Sequence, residues 1–362
     1  MKTRAFNFGA GPATLPESIL IEAQQALLNW QESGMSILEI GHRTPEFQAL
    51  LQQAELELRT LLTIPNNYHV LFLGGAARTQ FSMLVLNFLQ EKKTAGYLVS
   101  GLWSKLAFEE ACKLKSAYVL ASSEESQFLA VPPEQLWDIR DDTQYVFYTP
   151  NETVHGLRYP YVPEVQGLPL IADMTSCILS EPIQVTDYAL IFAGAQKNIA
   201  SAGMTLVIIR DEFLQQITTQ SLPTMMDYRV QAAHHSLYAT PPVFNCYLAA
   251  KMFQWIKEQG GIEALSRLNL EKSSRLYQYI DESSCYLCPI EPASRSRMNV
   301  CFSLRDNTLE VPFLHLASQR GLLALKGHRA VGGLRASLYN AMSLAGVDAL
   351  IAFMQDFAKE YL

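Results

Sequence analysis

The stretch Ala193-Gly194-Ala195-Gln196-Lys197-Asn198 decides how this chain is read. The apolar run Tyr188-Ala189-Leu190-Ile191-Phe192-Ala193 climbs to it, and a second run, Thr205-Leu206-Val207-Ile208-Ile209, leaves after Gly203. Short apolar runs bounded by glycine read as strands buried on both faces. A lysine set between two such strands is costly to keep as an ammonium, so burial lowers its pKa. The neutral amine is the form that attacks a carbonyl to make a Schiff base. For a single lysine the alternative is a solvated loop, since Lys is seldom buried unpaired. Asp173 tips that balance. It ends a similar run, Leu168-Pro169-Leu170-Ile171-Ala172-Asp173, twenty-four residues before Lys197. An acid at one strand end and a lysine in the loop after the next form the pairing that pyridoxal 5′-phosphate (PLP) requires. The acid keeps the pyridine nitrogen protonated, and the lysine holds the aldehyde carbon.

Upstream, strands alternate with helices. His69–Leu73 reads as a strand, and Gly74-Gly75-Ala76-Ala77-Arg78-Thr79-Gln80 opens a helix through Phe88. Such small residues let backbone N–H groups cradle a phosphate, or simply make a tight turn. The spacing fits neither a dinucleotide fingerprint nor a Walker A loop. Gly96–Ser100 is the next strand, and Trp103 follows in the helix start Gly101-Leu102-Trp103-Ser104, as core or as a flat face for an aromatic cofactor. Gln144–Tyr148 runs into the polar, turn-rich Thr149–Gly156, the kind of strand end where ligand groups gather in open α/β sheets. Near-continuous apolar strands alternating with helices imply a mainly parallel sheet covered on both faces. Ahead of it lie the irregular Asn7–Pro12, a helix from Pro16 to about Trp30 and a helix from Pro45 to about Leu62. Behind it, Ala239-Thr240-Pro241-Pro242 leads into a helix from Phe244 to about Glu258. Gly260-Gly261 marks a domain boundary. Beyond it, a helix to about Ile280, short strands near Met298–Phe302 and Gly333–Ser337, and a helix from about Val347 suit a small α+β domain.

With 362 residues, 49% hydrophobic and 17% charged, the chain has the composition of a compact globular protein of one or two domains. Its net charge of −7 argues against general nucleic-acid affinity. No apolar stretch follows the charges of Met1-Lys2-Thr3-Arg4, and no run approaches the roughly 18 apolar residues of a membrane span. A cytoplasmic protein is expected. Six scattered cysteines are expected as free thiols; Cys285-Tyr286-Leu287-Cys288 has the spacing of half a zinc site without the other half. Gly41-His42-Arg43 recurs as Gly327-His328-Arg329, and Arg335 follows. These arginines are either surface residues or bidentate clamps for carboxylate and phosphate.

Taken together, the segments Asn7–Ala13, Gly41–Arg43, Gly74–Phe81, Tyr148–Thr153, Ala193–Asn198, Arg295–Val300 and Lys326–Ser337 resemble the phosphoserine aminotransferase family, fold-type I PLP enzymes of the class V aminotransferase group. The resemblance covers nearly the whole chain. It implies a large domain (16–259) with a mainly parallel seven-stranded sheet, a small α+β domain (260–362), and an N-terminal segment (1–15) associated with the active site and the small domain. It implies that Lys197 carries PLP covalently and shuttles the proton, that Asp173 pairs with the pyridinium nitrogen, and that Trp103 stacks on the ring. By the same resemblance Thr153 bonds near the phenolic oxygen, and Ala77, Arg78 and Gln196 hold the phosphate. Ala239 and Thr240 are implied to reach that phosphate from the partner subunit of a homodimer with shared sites. Arg335 resembles the α-carboxylate clamp, and His42, Arg43, His328 and Arg329 match positions that receive the distal phosphate or carboxylate. The implied activity is ping-pong transfer from L-glutamate to 3-phosphohydroxypyruvate, giving O-phosphoserine and 2-oxoglutarate for serine biosynthesis. A phosphorylated hydroxythreonine precursor in pyridoxine biosynthesis, 3-hydroxy-2-oxo-4-phosphooxybutanoate, is a further implied substrate. The chain departs from the family where Ala239 replaces a common Asn and where Ala76 and Ala77 replace common glycines. Another class V aminotransferase, such as a serine–glyoxylate type, and a PLP-fold binding module without turnover are the alternatives. The paired Gly-His-Arg segments favour a dianionic substrate, and the Lys197–Asp173 pair favours turnover.

Overall fold

Alternate residues of the buried strands go to opposite faces and so feed two separate cores. Val70 and Phe72 pack with Leu206 and Ile208 on one face, while Leu71 and Leu73 pack with Val207 and Ile209 on the other. This is the arrangement in the computed structural model, which describes residues 4–218 and 221–361. The central sheet has seven strands. They are β1 (Tyr68–Gly74), β2 (Thr94–Val99), β3 (Ala117–Ser122), β4 (Thr143–Tyr148), β5 (Leu170–Asp173), β6 (Leu190–Gly194) and β7 (Met204–Arg210). Their spatial order is β1-β7-β6-β5-β4-β2-β3. All pairings are parallel except those of β7, which runs antiparallel to both neighbours.

Helices cover both faces. Glu17–Ala26, Pro45–Leu62 and Val243–Glu258 contribute Ile19, Leu58 and Phe253 to the first core. Arg78–Phe88 and Leu102–Leu114 contribute Phe81 and Ala107 to the second. The first helix ends four residues earlier than the apolar pattern suggests, because the chain turns into a single 3-10 turn at Trp30–Glu32. Thr44 caps Pro45–Leu62 by accepting from Phe47 N at 3.4 Å, with proline at the first helical position, where its missing N–H costs nothing.

A third core belongs to the small antiparallel sheet of β8 (Tyr286–Leu287), β9 (Asn299–Leu304) and β10 (Leu334–Ser337). Phe302 and Ala336 from its strands meet Phe313 and Phe353 from the helices Glu310–Gln319 and Leu344–Tyr361. Phe6–Asn7 pairs with Leu322–Leu323, and Ser337 N donates to Phe8 O at 3.1 Å, which ties the chain's start to this unit. Among the described residues no helix is long and apolar enough to cross a membrane.

Candidate active site

The parallel strands all end at one edge of the large sheet, and there they deliver the charged residues. β5 ends in Asp173, β6 ends in Gly194, and the two strands are direct neighbours. After β6 the chain folds back on itself: Ala195 N donates to Met204 O at 2.9 Å, and β7 leaves antiparallel. Lys197 sits in this closed loop, 7% exposed, and Asp173 is 5% exposed. Burial pushes the Lys197 amine down to about 8, against the pull of Asp173, and Arg335 adds to the lowering. The Asp173 carboxyl is raised, again by burial first, while hydrogen bonds from Thr175 hold it down. One of these is Thr175 N to Asp173 Oδ1 at 3.0 Å.

Lys197 Nζ donates to Thr153 Oγ1 at 2.6 Å. Thr153 lies in the tight connection of a short hairpin that follows β4, Asn151–Glu152 against Leu157–Arg158. Its backbone oxygen accepts from Arg335 Nη1 at 3.4 Å, so Thr153 stands between the lysine and the arginine of β10. The ring of Tyr339 lies 6.0 Å from Lys197 Nζ, and its hydroxyl donates to Ala10 O at 2.9 Å. The N-terminal segment closes this side, with Ala13 N donating to Gln196 O at 2.9 Å. Gly11 has φ +143°, and a Cβ there would meet Gln196 Cγ at 3.4 Å and Lys197 Cγ at 3.6 Å. The positive φ calls for glycine, while the contacts themselves are of ordinary van der Waals length.

Across the cavity, the helix Leu102–Leu114 begins on a buried acid from the hairpin. Glu152 accepts from Trp103 N at 3.0 Å, from Ser104 N at 2.8 Å and from Ser104 Oγ at 2.7 Å. A carboxylate at a helix N-terminus satisfies orphan N–H groups and complements the helix dipole. Burial nonetheless raises its pKa to about 7. A Cβ on Gly101 would lie 2.5 Å from Glu152 Cδ, so only glycine lets the acid in. This fixes the backbone of Trp103, and the Arg78 guanidinium sits over its indole at 5.0 Å from the ring centroid.

Ala77, Arg78, Trp103, Thr153, Asp173, Gln196 and Lys197 therefore line one cavity of about 160 Å³. Arg335 reaches its edge through Thr153. Thr149, Asn151, Thr175 and Ser176 also line it, and sequence reading assigned them no individual role. The motif Thr149–Glu152 was the available signal for Asn151 and Glu152; Tyr339 had none. Ala239 and Thr240 lie elsewhere, in a separate cavity with Gly74, Thr79 and Gln80. His42, half-buried, and Arg43, exposed, do not line the Lys197 cavity. His328 and exposed Arg329 lie in a tight loop where Gly327 N bonds Gly333 O at 2.8 Å and Ala330 N donates to His328 Nδ1 at 3.2 Å. His328 stands near Arg335, and burial with those positive charges lowers its pKa.

The cavity fits PLP on its own chemistry. The indole Nε1 of Trp103 and Oγ1 of Thr149 are buried without a partner among the described residues. Asp173 is a buried acid that no cation among the described residues contacts directly, which suits a carboxylate facing a protonated ring nitrogen. Lys197 is a buried amine with a single hydroxyl partner.

Comparison with known proteins agrees. Residues 5–350 match the family Aminotransferase class-V. The phosphoserine aminotransferase of Legionella pneumophila strain Philadelphia 1 is 61% identical over 99% of both chains. That of Pseudomonas syringae pv. tomato is 48% identical over 100% of both. Among solved structures, phosphoserine aminotransferase from Bacillus circulans subsp. alkalophilus superposes with a TM-score of 0.96 at 41% identity, covering 98% of this chain and 99% of that one. The PLP-bound phosphoserine aminotransferase of Trichomonas vaginalis gives 0.94 at 40% identity, covering 97% and 100%. The chain belongs to the class V aminotransferases and, within them, to the phosphoserine aminotransferases. Its cofactor is PLP.

Proposed function

We propose that this chain is a phosphoserine:2-oxoglutarate aminotransferase in which Lys197 and Asp173 work from opposite sides of the cofactor. The observation that carries the reading is their meeting in one buried cavity, with Arg335 one residue away behind Thr153. When bound, PLP supplies a carbonyl for covalent capture of amines and an electron sink for the substrate α-carbon. Asp173, kept dry and braced by Thr175, would hold the proton on the cofactor's ring nitrogen. Lys197 anchors the cofactor, then takes the α-proton at Nζ and returns it; an amine near pKa 8 suits both directions of transfer. Thr153 orients that amine. Arg335 would clamp the α-carboxylate, Trp103 would stack on the cofactor ring, and Arg78, Ala77 and Gln196 would hold its phosphate.

Glutamate and 3-phosphohydroxypyruvate each carry two anionic ends, so separated cationic clamps fix the reacting carbon. Arg335 is one clamp. His42, Arg43, His328 and Arg329 form the other across a homodimer, which also brings Ala239 and Thr240 to the phosphate; that Ala239 and Thr240 line a cavity separate from that of Lys197 supports shared sites. The phosphorylated hydroxythreonine precursor, with the same pair of charges, is proposed as a second substrate. The proposal extends to a cytoplasmic enzyme, supported by six cysteines that form no disulfide. Amino transfer from phosphoserine to 2-oxoglutarate by the pure protein, with and without added PLP, tests the reading. Equal turnover of alanine or serine would favour the serine–glyoxylate type instead.

A further inference from the structure

The long helix Gly261–Glu282 buries a stripe of Ile262, Leu265, Asn269, Lys272, Leu276 and Ile280. Lys272 is 0% exposed. Its Nζ donates to three backbone oxygens, Leu338 O at 2.9 Å, Tyr339 O at 2.9 Å and Met342 O at 3.0 Å. A protonated amine has three N–H donors and no acceptor, so this cage saturates the ammonium and no other form. Burial pushes the amine down to about 7, and the three carbonyl dipoles oppose that push.

The three oxygens belong to the corner between β10 and the last helix, and that corner abuts the Lys197 cavity. Tyr339 carries the ring beside Lys197 Nζ, and its hydroxyl ties down the N-terminal segment. Asn340 N donates to Oδ1 of Asn198, the residue after Lys197, at 3.1 Å, and Asn340 Nδ2 donates to Leu179 O at 2.9 Å. One turn before Lys272, Asn269 Nδ2 donates to Asn340 Oδ1 at 2.9 Å. Arg335 lies three residues ahead of the cage on the same strand segment.

We propose that Lys272 is a positioning residue for the amino transfer, an internal cation whose carbonyl cage fixes the 338–342 corner and so sets Tyr339, Asn340 and Arg335 against the Lys197 loop. The proposal rests on the Lys197 cavity being the site of that transfer. Removing the side chain leaves a cage that accepts a small N–H cation, just as rings of carbonyls replace an ion's hydration elsewhere.

The test is the Lys272→Ala holoenzyme assayed in ethylammonium, ammonium or tetramethylammonium chloride at equal ionic strength. The expected result is a fall of at least about tenfold in kcat/KM for phosphoserine, in line with losing charge-assisted hydrogen bonds. Ethylammonium and ammonium restore it saturably, tetramethylammonium (which has no N–H) does not, and the wild type ignores all three. Amide hydrogen exchange of segments 197–200 and 338–342, in protein with and without PLP, is faster in the variant and slowed again by ethylammonium. A folded variant with wild-type kcat, KM and exchange overturns the proposal. So does a loss that no N–H cation restores, or one that all three salts restore equally. If alanine prevents folding, Lys272→Gln, which keeps two N–H donors, is measured in the same salts, and wild-type behaviour there overturns it. A wild type inert toward phosphoserine removes the functional reading alone, because the exchange pattern still judges the clamp.

Discussion

Lys197 and Lys272 are both buried amines, one at the edge of the large sheet and one under the small domain's last corner. Burial lowers both, to about 8 and about 7. For Lys197 the charge of Asp173 pulls back against burial, whereas burial is the one cause at Lys272. Their hydrogen-bond partners set them further apart. Lys272 has three carbonyls for three protons, whereas Lys197 has one hydroxyl and, 6.0 Å away, the face of a tyrosine. An amine that is desolvated and then under-supplied with acceptors is ready to react; one that is desolvated and fully supplied is a structural ion.

The sharpest way to break this contrast is Lys197→Ala. It should abolish covalent cofactor retention after borohydride treatment, read by mass spectrometry. Turnover should fall by at least about 10³-fold, since proton transfer by a placed side chain alone contributes 10²–10⁴. Lys272→Ala should keep the covalent attachment. Asp173→Asn should lower kcat by about 10²–10³-fold, the scale of losing one preorganised electrostatic partner. A drop of only a few fold would detach the acid from the chemistry. Arg335→Ala should cut kcat/KM for glutamate and phosphoserine alike, by about 10- to 100-fold. Loss with phosphoserine alone would move the α-carboxylate clamp elsewhere.

A pH series probes the amines without turnover. The folded pKa of Lys197 lies below its ordinary value, so the unfolded chain binds that proton more tightly. The group therefore adds stability above its unfolded pKa, and the contribution is lost as pH falls through about 8. Near neutral pH, PLP-free Lys197→Met should melt higher than the PLP-free wild type by on the order of 5 °C, with the gap closing toward pH 10. A constant gap would mean an amine that titrates normally. The smallest effect is expected for Trp103→Phe, about 3- to 10-fold weaker PLP binding by fluorescence titration, as befits one stacking contact.

What sequence could show follows from the same physics. The strands leading to Asp173 and to the Lys197 loop were legible because both faces are buried and the runs are apolar throughout. β3, one of the sheet's two edge strands, was not: unlike β1, the other edge, it exposes an apolar residue, Val119, and follows Lys113 and Lys115. Glu152 was visible only as part of a polar loop, since the helix it caps lies about fifty residues earlier. Its trace is a helix start, Gly101-Leu102-Trp103-Ser104, without an acid of its own. Lys272 reads as a surface lysine beside Glu271. Only the spacing of Ile262, Leu265, Asn269 and Leu276 marks its position as inward-facing, and no local pattern reveals carbonyls some seventy residues away. His42 and Arg43, proposed above as part of the distal clamp, are not among the described residues that line the Lys197 cavity, so the fold of one chain gives them no signature there.

The loop that bears Lys197 joins two strands hydrogen-bonded to each other, with Gly194 opposite Thr205. It is thus a short bridge pinned at both feet, unlike a strand-to-helix connection that can slide with its helix. In the role proposed for Lys197, travel between anchoring and proton delivery then comes from rotation along its own four-carbon stem. The working distance is that of a single arm swinging from a loop held at both ends.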